Sequence, residues 1–204
     1  MEEEKVHEDI LFIRKIIEDN RRKLVDNGLS YIINGSVLAI GIPITVTMGF
    51  VGMETYIPYV WLFLVAVMIA LNITISKRVQ KNFSVKTFGS EVFNALWLAC
   101  GISIMIIFIL SITTSAITPS AFITSCASIF GIGYLLTGVI NDLKFMKILA
   151  AFWWLTAIIT GLWGLFAQLN YMPIFFSAMV LILQLIPAAI IYKKWKKAYN
   201  EHSI

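Results

Sequence analysis

The sequence predicts an all-α membrane protein, a polytopic bundle of six transmembrane helices preceded by an amphipathic helix. Hydrophobic residues make up 59% of the 204 residues and charged residues only 14%, whereas soluble domains are about 45–50% apolar and about 25% charged. Six continuous apolar runs each reach the roughly 20 residues that span a hydrocarbon core of about 30 Å. Strands of a β-barrel would instead alternate in hydrophobicity over about ten residues. Continuous runs of this length therefore favour helices.

Three segments follow from this pattern. Residues 1–28 are predicted to form a cytoplasmic amphipathic helix, residues 29–192 the transmembrane domain, and residues 193–204 a basic cytoplasmic tail. Because the chain stays polar from Met1 to Gly28, we expect no cleavable signal peptide and expect the first span to direct insertion. The predicted spans are 29–51, 56–75, 93–112, 121–140, 148–168 and 174–192.

The N-terminal segment carries apolar residues at spacings of three and four. After Val6, the repeat continues through Ile10, Ile13, Ile17, Asn20 and Leu24. This spacing is typical of a coiled-coil seam with one polar core position, which would dock a protein partner or a second copy of the chain. An amphipathic helix on the inner membrane surface is the alternative, because the segment has a basic end at Arg21-Arg22-Lys23. Both interpretations stay open, with Asn27-Gly28 as the hinge into the first span.

The distribution of basic residues predicts the orientation. All sixteen Lys and Arg residues precede the first span, follow the last, or lie in the second and fourth connections; the other three connections contain none. Basic loops stay cytoplasmic during insertion, so both termini are expected in the cytoplasm, in a bacterial inner membrane. The net charge of +4 is thus an orientation signal, and the lipid bilayer rather than nucleic acid is the expected partner.

The predicted spans exclude several kinds of chemistry. They contain no Asp, Glu, His, Lys or Arg, the residues that proton-coupled transport or intramembrane proteolysis would use. His7 and His202 lie near the two termini, so axial haem ligation between the helices is not expected. Cys100 and Cys126 lie within spans and are interpreted as small packing residues. We therefore expect no catalytic residues, no metal and no cofactor, and we do not expect an enzyme.

Uncharged polar residues are the remaining site candidates. Gln184 lies near the middle of the sixth span, one turn before Pro187, and Thr156 and Thr160 share one face of the fifth span. Tyr134 ends the string Gly131-Ile132-Gly133-Tyr134, which is similar to a selectivity filter but lies in a helix-length run. The candidates are Asn34, Gln184, Thr156, Thr160 and Tyr134. Such residues form hydrogen bonds between helices or line a ligand cavity, and the sequence leaves both roles open.

The beginning of the chain resembles a known group of proteins. Asp9-Ile10, Ile13-Arg14 and Ile16-Ile17-Glu18, followed by Leu29-Ser30 and Gly35, look like the start of a group of small uncharacterised bacterial six-span inner-membrane proteins with an N-terminal cytoplasmic amphipathic helix. The resemblance covers residues 9–40 best and implies the architecture, not an activity. The chain departs from the group's small-residue-rich first span at Ile42-Pro43-Ile44.

Two functions are compatible with these observations. The first is a non-catalytic scaffold or regulatory subunit that docks a partner, or a second copy in a homo-oligomer, through the N-terminal helix and basic inner loops. The second is a small-molecule binding or translocating subunit with an uncharged polar cavity between its helices. In size, span number and lack of charge, the chain is similar to the substrate-binding subunits of vitamin-importing ABC transporters.

Overall fold

The computed structural model describes residues 28–82, 88–114, 116–140, 142–166 and 171–201. In this part of the chain 94% of the residues are helical and none is in a strand, so the predicted all-α fold is confirmed. Six of the helices are long and apolar enough to cross a membrane. The predicted helix at residues 1–28 lies outside the described residues except for Gly28.

The helices follow one another with short connections. Met172–Val180, Leu181–Leu185 and Ile186–Glu201 continue without a break, so together they form the sixth long helix. The elements in chain order are α1 (Leu29–Phe50), a 3-10 turn (Glu54–Tyr56), α2 (Ile57–Asn82), α3 (Phe88–Thr114), α4 (Pro119–Ile140), α5 (Lys144–Phe166), α6 (Met172–Val180), a π turn (Leu181–Leu185) and α7 (Ile186–Glu201).

Consecutive long helices are antiparallel, which brings the lysines of the described residues to one end. Lys77 lies near the end of α2, Lys144 and Lys147 begin α5, and Lys193 lies in α7. We call this the basic end. Where α4 meets α5 at this end, Lys147 Nζ lies 3.7 Å from Asp142 Oδ1. The basic end is the one that the sequence predicts to face the cytoplasm.

The helices α4 and α5 share the most extensive interface of the described residues. Small residues permit it: Ala127 and Ala150 are completely buried, and a Cβ atom added to Gly131 would overlap the indole of Trp154. Close approach of backbones over small residues is the usual basis of helix association where lipid is the solvent. The pair α4–α5 is therefore the centre of the bundle.

The first helix packs along the sixth long helix. Gly28 begins this contact with a φ of 71°, and a Cβ atom there would lie 2.9 Å from the backbone oxygen of Ala188. Gly35 lies against Leu185 and Gln184 of the π turn. Two glycines thus allow α1 to approach the π turn and α7 closely.

The second and third helices lie at the periphery. Among the described elements, α2 makes its main contacts with α1 and α3 with α4. Two side-chain hydrogen bonds hold α2: Asn72 Nδ2 donates to Asn34 Oδ1 at 2.7 Å, and Trp61 Nε1 donates to Thr45 Oγ1 at 2.9 Å. No residue in the apolar stretch of α2 is buried, whereas 44% of the residues in the apolar stretch of α4 are. The core consequently lies between α1, α4, α5 and the sixth long helix.

Candidate functional site

Aromatic and polar side chains from five elements meet in the core, toward the basic end. We call this group the aromatic–amide cluster. It combines phenol and indole rings with the hydroxyl of one threonine and the amide of one glutamine. Its members are Tyr31 of α1, Trp97 of α3, Tyr134 and Thr137 of α4, Trp153 of α5 and Gln184 of the π turn.

Ring contacts join four of these residues. The ring of Tyr31 meets that of Trp97 edge to face, with centroids 5.4 Å apart and an interplanar angle of 87°. The ring centroid of Tyr134 lies 5.7 Å from that of Tyr31, 5.9 Å from that of Trp97 and 6.2 Å from that of Trp153. Such pairs stabilise by about 0.5–1.5 kcal/mol beyond their burial. They connect the peripheral helix α3 to the core.

Thr137 supplies the hydroxyl of the cluster. Trp97 Nε1 lies 3.3 Å from Thr137 Oγ1, and the hydroxyl of Tyr31 lies 3.5 Å from the same oxygen. Thr137 is 2% exposed, so these donors replace the water that a threonine hydroxyl would otherwise bind. The indole and the phenol on this side of the cluster are therefore engaged with protein atoms.

Gln184 lies within the π turn. The backbone N–H of Ile186 donates to the carbonyl of Leu181, five residues earlier. Pro187 follows directly, and in a regular α-helix its ring would collide with the carbonyl four residues before it. The wider turn gives that carbonyl room, and Gln184 is one of the buried residues within it. Single π turns of this kind are frequent at functional sites.

The amide of Gln184 is only half satisfied. Its Nε2 donates to the backbone oxygen of Tyr31 at 3.2 Å, whereas its buried Oε1 has no hydrogen-bond partner among the described residues. The Tyr31 carbonyl can only accept, so the amide nitrogen must face it and the free atom is the oxygen. The cluster thus presents one unused buried acceptor.

Trp153 presents an unused buried donor. The residue is completely buried between Phe130 and Phe176, whose ring centroids lie 4.9 Å and 5.9 Å away, yet its Nε1 has no hydrogen-bond partner among the described residues. Each unpaired buried polar group costs about 1–3 kcal/mol. The helix α5 contacts the π turn, and Tyr134 and Tyr31 connect Trp153 to Gln184. Donor and acceptor belong to one cluster.

The other predicted polar residues lie outside this cluster. Thr160 Oγ1 lies 3.1 Å from Thr124 Oγ1 of α4 and 2.9 Å from the carbonyl of Thr156, and Thr156 Oγ1 donates to the carbonyl of Phe152. Asn34 bonds to Asn72 at the α1–α2 contact. Of the five predicted polar residues, Tyr134 and Gln184 therefore belong to the cluster. The hydroxyl and amide groups of the other three form hydrogen bonds within one helix or between two neighbouring helices.

Sequence reasoning missed four members of the cluster. Tyr31, Trp97, Thr137 and Trp153 were counted only as parts of apolar runs, because a buried indole and a lipid-facing indole look the same in a hydropathy profile. Asn72, the partner of Asn34, was also missed, although its polar amide stands out in an apolar run. Aromatic residues near one end of several spans were the available signal, but they are also typical of membrane interfaces.

A groove lies outside this cluster, between α1 and the sixth long helix. Toward the end opposite the basic end, a groove of about 470 Å³ lies between Pro43 and Phe50 of α1 on one side and Ile174 of α6 and Leu181 of the π turn on the other. Thr47 lines it, but its hydroxyl already donates to the carbonyl of Pro43. The groove is mostly apolar and distinct from the aromatic–amide cluster.

The described residues offer hydrogen bonds and ring faces rather than ionic or metal chemistry. No group of three or more His, Cys, Asp or Glu side chains comes together in the described part of the chain, and Cys100 and Cys126 are buried free thiols. The predicted docking residues Ile10, Ile13, Ile17, Asn20 and Leu24 lie outside the described residues, so that prediction stands as it was.

Comparisons with known proteins give no further guide to the site. The chain matches no protein-family model, and no curated protein or solved structure shows significant similarity to it. The resemblance of residues 9–40 to small six-span bacterial proteins stays a prediction.

Proposed function

We propose that this protein is a non-catalytic membrane protein that binds a small uncharged molecule between its helices, as a recognition or translocation unit. The observation that carries the proposal is the pair of unpaired buried polar atoms, Trp153 Nε1 and Gln184 Oε1, in one cluster. Native proteins pair almost all buried polar groups. A bound molecule that pairs either atom would account for its retention in a core that is otherwise packed with rings and methyl groups.

The position of the pair supports recognition rather than packing alone. A structural hydrogen bond needs only two helices, as the bond between Asn72 and Asn34 illustrates. The aromatic–amide cluster instead draws side chains from five elements, and its amide comes from a π turn. Irregular helix geometry in a membrane protein is tolerated where it is buried or lines a cavity. A turn that aims an unused carbonyl into the core fits a binding role.

The absence of charge from the predicted spans supports a non-catalytic role. Acid–base catalysis requires a group that gains and loses a proton near neutral pH, and between the ends of these spans the sequence offers only Tyr and Cys among titratable residues. We place the protein in a bacterial inner membrane with both termini and the basic end in the cytoplasm, because of the distribution of its lysines and arginines.

The spacing of Ile10, Ile13 and Ile17 favours a second role for the N-terminal segment. We propose that residues 1–28 dock a protein partner or a second copy of the chain, as a short coiled-coil seam does. This role would be compatible with ligand binding. The segment joins α1 at Gly28, and Gly28 packs on α7, which begins directly after the π turn.

Native mass spectrometry of the protein extracted in mild detergent tests ligand binding. The wild type is expected to carry a bound mass that is lost from Trp153→Phe, which removes the indole N–H together with part of the ring system, and from Gln184→Leu. Trp154→Phe is the matched control, because Trp154 is adjacent in α5 but 38% exposed. A bare wild type, or a bound mass that persists in both cluster variants, would overturn the proposal.

A further inference from the structure

The groove between α1 and the sixth long helix has the shape and chemistry of a lipid site. We infer that it holds one ester-linked acyl chain of a membrane phospholipid, whose ester carbonyl accepts a hydrogen bond from the hydroxyl of Ser177. The groove is separate from the aromatic–amide cluster, so this inference does not rest on ligand binding there.

The groove exists because the two helices are close together at one end of their contact and farther apart at the other. Toward the basic end, Gly28 and Gly35 bring α1 against α7 and the π turn. Toward the opposite end, Val46 of α1 faces the small side chains of Ser177 and Ala178 across the groove. Small residues on the α6 side without a glycine opposite them leave a volume of about 470 Å³.

Burial distinguishes the floor of the groove from its walls. Ser177 is only 6% exposed, and Val46 and Ala178 are half-buried, so these three residues form the floor. The walls are exposed and consist of Pro43, Thr47, Phe50, Ile174 and Leu181. The groove therefore opens sideways, away from the core. Both of its sides belong to helices long and apolar enough to cross a membrane, and at this depth a sideways opening meets lipid chains.

The dimensions of the groove suit a lipid chain better than a helix. Its α1 side runs over seven residues from Pro43 to Phe50, which is about 10 Å along a helix. The opposite side, from Ile174 to Leu181, has the same length. One leaflet supplies about 15 Å of hydrocarbon, so a single chain can fill the groove from end to end. The volume leaves roughly half of the cross-section that a helix with its side chains needs, so a helix of a second copy could not enter.

The floor of the groove carries an unused hydroxyl. Serine and threonine hydroxyls in helices often bond to the carbonyl four residues earlier, as Thr47 does to Pro43 at 2.9 Å. The Ser177 hydroxyl forms no hydrogen bond to another described residue. Among the described residues, the unpaired side-chain atoms that are also fully enclosed belong to Trp153 and Gln184. The unpaired oxygen of Ser177 is therefore open to the groove that this residue lines.

This hydroxyl favours a chain with an ester at its head. An alkyl chain alone would leave the hydroxyl unpaired in hydrocarbon, which is unfavourable. An ester carbonyl accepts a hydrogen bond without carrying a charge. Ser177 lies five residues, about 7.5 Å, from the beginning of α6 at Met172, on the side of the membrane where the headgroup of such a lipid would lie. The chain then continues past Ser177 toward Leu181.

Two phospholipids with the same headgroup and chain length, one ester-linked and one ether-linked, isolate the hydrogen bond, because the ether lipid lacks the carbonyl. Native mass spectrometry of the delipidated full chain in mild detergent, titrated with each lipid, gives the two dissociation constants. The wild type is expected to bind the ester lipid about five-fold more tightly, as one neutral hydrogen bond predicts. Ser177→Ala should bind both lipids equally, whereas Ser103→Ala, at an exposed serine of α3 outside the groove, should keep the preference. Equal binding of the two lipids to the wild type, or a preference that persists in Ser177→Ala, would overturn the inference.

Filling the groove tests the position of the chain. Ala178→Leu places a larger side chain on the floor and should weaken binding of the ester lipid about ten-fold or more, because it displaces several buried carbons of the chain. Ala99→Leu is the matched control, since Ala99 is exposed on α3, and it should bind as the wild type does. Size-exclusion chromatography identifies a variant that does not fold, in which case Ser177→Ala decides. Undiminished lipid binding by folded Ala178→Leu, or loss of a dimer instead of the lipid, would assign the groove to another occupant and overturn the inference.

Discussion

Replacing Gly28 with alanine tests the close contact between α1 and α7. Gly28 has a φ of 71°, a left-handed conformation that costs a residue with a Cβ atom about 1–2 kcal/mol. The new methyl group would also lie 2.9 Å from the Ala188 oxygen and 3.4 Å from Ile191, and overpacking of this kind costs about 1–3 kcal/mol. Alanine also restricts the unfolded chain more than glycine does, which raises the free energy of unfolding by about 0.4–1 kcal/mol. The net loss of unfolding free energy should be about 1–5 kcal/mol.

Two other glycines separate the backbone and contact contributions. Gly52 has a φ of 75° but nothing within 4 Å of an added Cβ atom, so Gly52→Ala should show only the conformational cost. Gly101 lies within α3 and is equally open, so Gly101→Ala should stabilise by up to about 1 kcal/mol. The assay is the titration of detergent-solubilised protein with a denaturing detergent, followed by helical circular dichroism. The reasoning is wrong if Gly28→Ala unfolds at the same point as Gly52→Ala or Gly101→Ala.

Three further predictions concern topology, packing and association. A reporter fused after Ser76 should be cytoplasmic and one between α1 and α2 external, and an external signal after Ser76 would contradict the predicted orientation. Thr160→Val should lower the unfolding free energy by about 0.6 kcal/mol or more, since the Thr160 hydroxyl links α5 to α4. Thr156→Val breaks only a hydrogen bond within α5 and should lower the unfolding free energy less. Deleting residues 1–26 should leave a folded bundle but remove a complex seen by size-exclusion chromatography, and Asn20→Leu should strengthen that complex; an unchanged assembly size would refute docking.

The sequence was sufficient for the fold because lipid sets a simple length rule. Six apolar runs became six long helices, and the third, predicted at 93–112, is contained in α3 (Phe88–Thr114). Hydropathy also placed Gly131 and Tyr134 inside a helix, as the structure has them. It could not show that α2 is peripheral and α4 central, because mean hydropathies of 2.1 and 1.7 predict a membrane span in both cases and do not tell which neighbours cover it.

The candidate site was predicted in part, and the reason lies in how polar groups are satisfied. Asn34, Thr156 and Thr160 stand out in an apolar sequence exactly as Gln184 does, yet each of the three finds a partner on its own or a neighbouring helix. What distinguishes Gln184 is an oxygen left without a partner beside a turn that a proline imposes. That property depends on the arrangement of five elements and has no signature in the order of residues.

The role of Trp153 likewise depends on the folded arrangement and not on the order of residues. Its sequence neighbour Trp154 has the same side chain, but one indole is completely buried and the other is 38% exposed. Consecutive residues of a helix point about 100° apart, so Trp153 lies between Phe130 and Phe176, whereas the indole of Trp154 lies against Gly131 of α4 and stays partly exposed. An exposed indole can keep its N–H satisfied at a polar boundary, whereas a buried one depends on whatever the core supplies. The core supplies rings to Trp153 but leaves its buried donor without a partner among the described residues, and for that reason a functional role is assigned to this tryptophan and not to its neighbour.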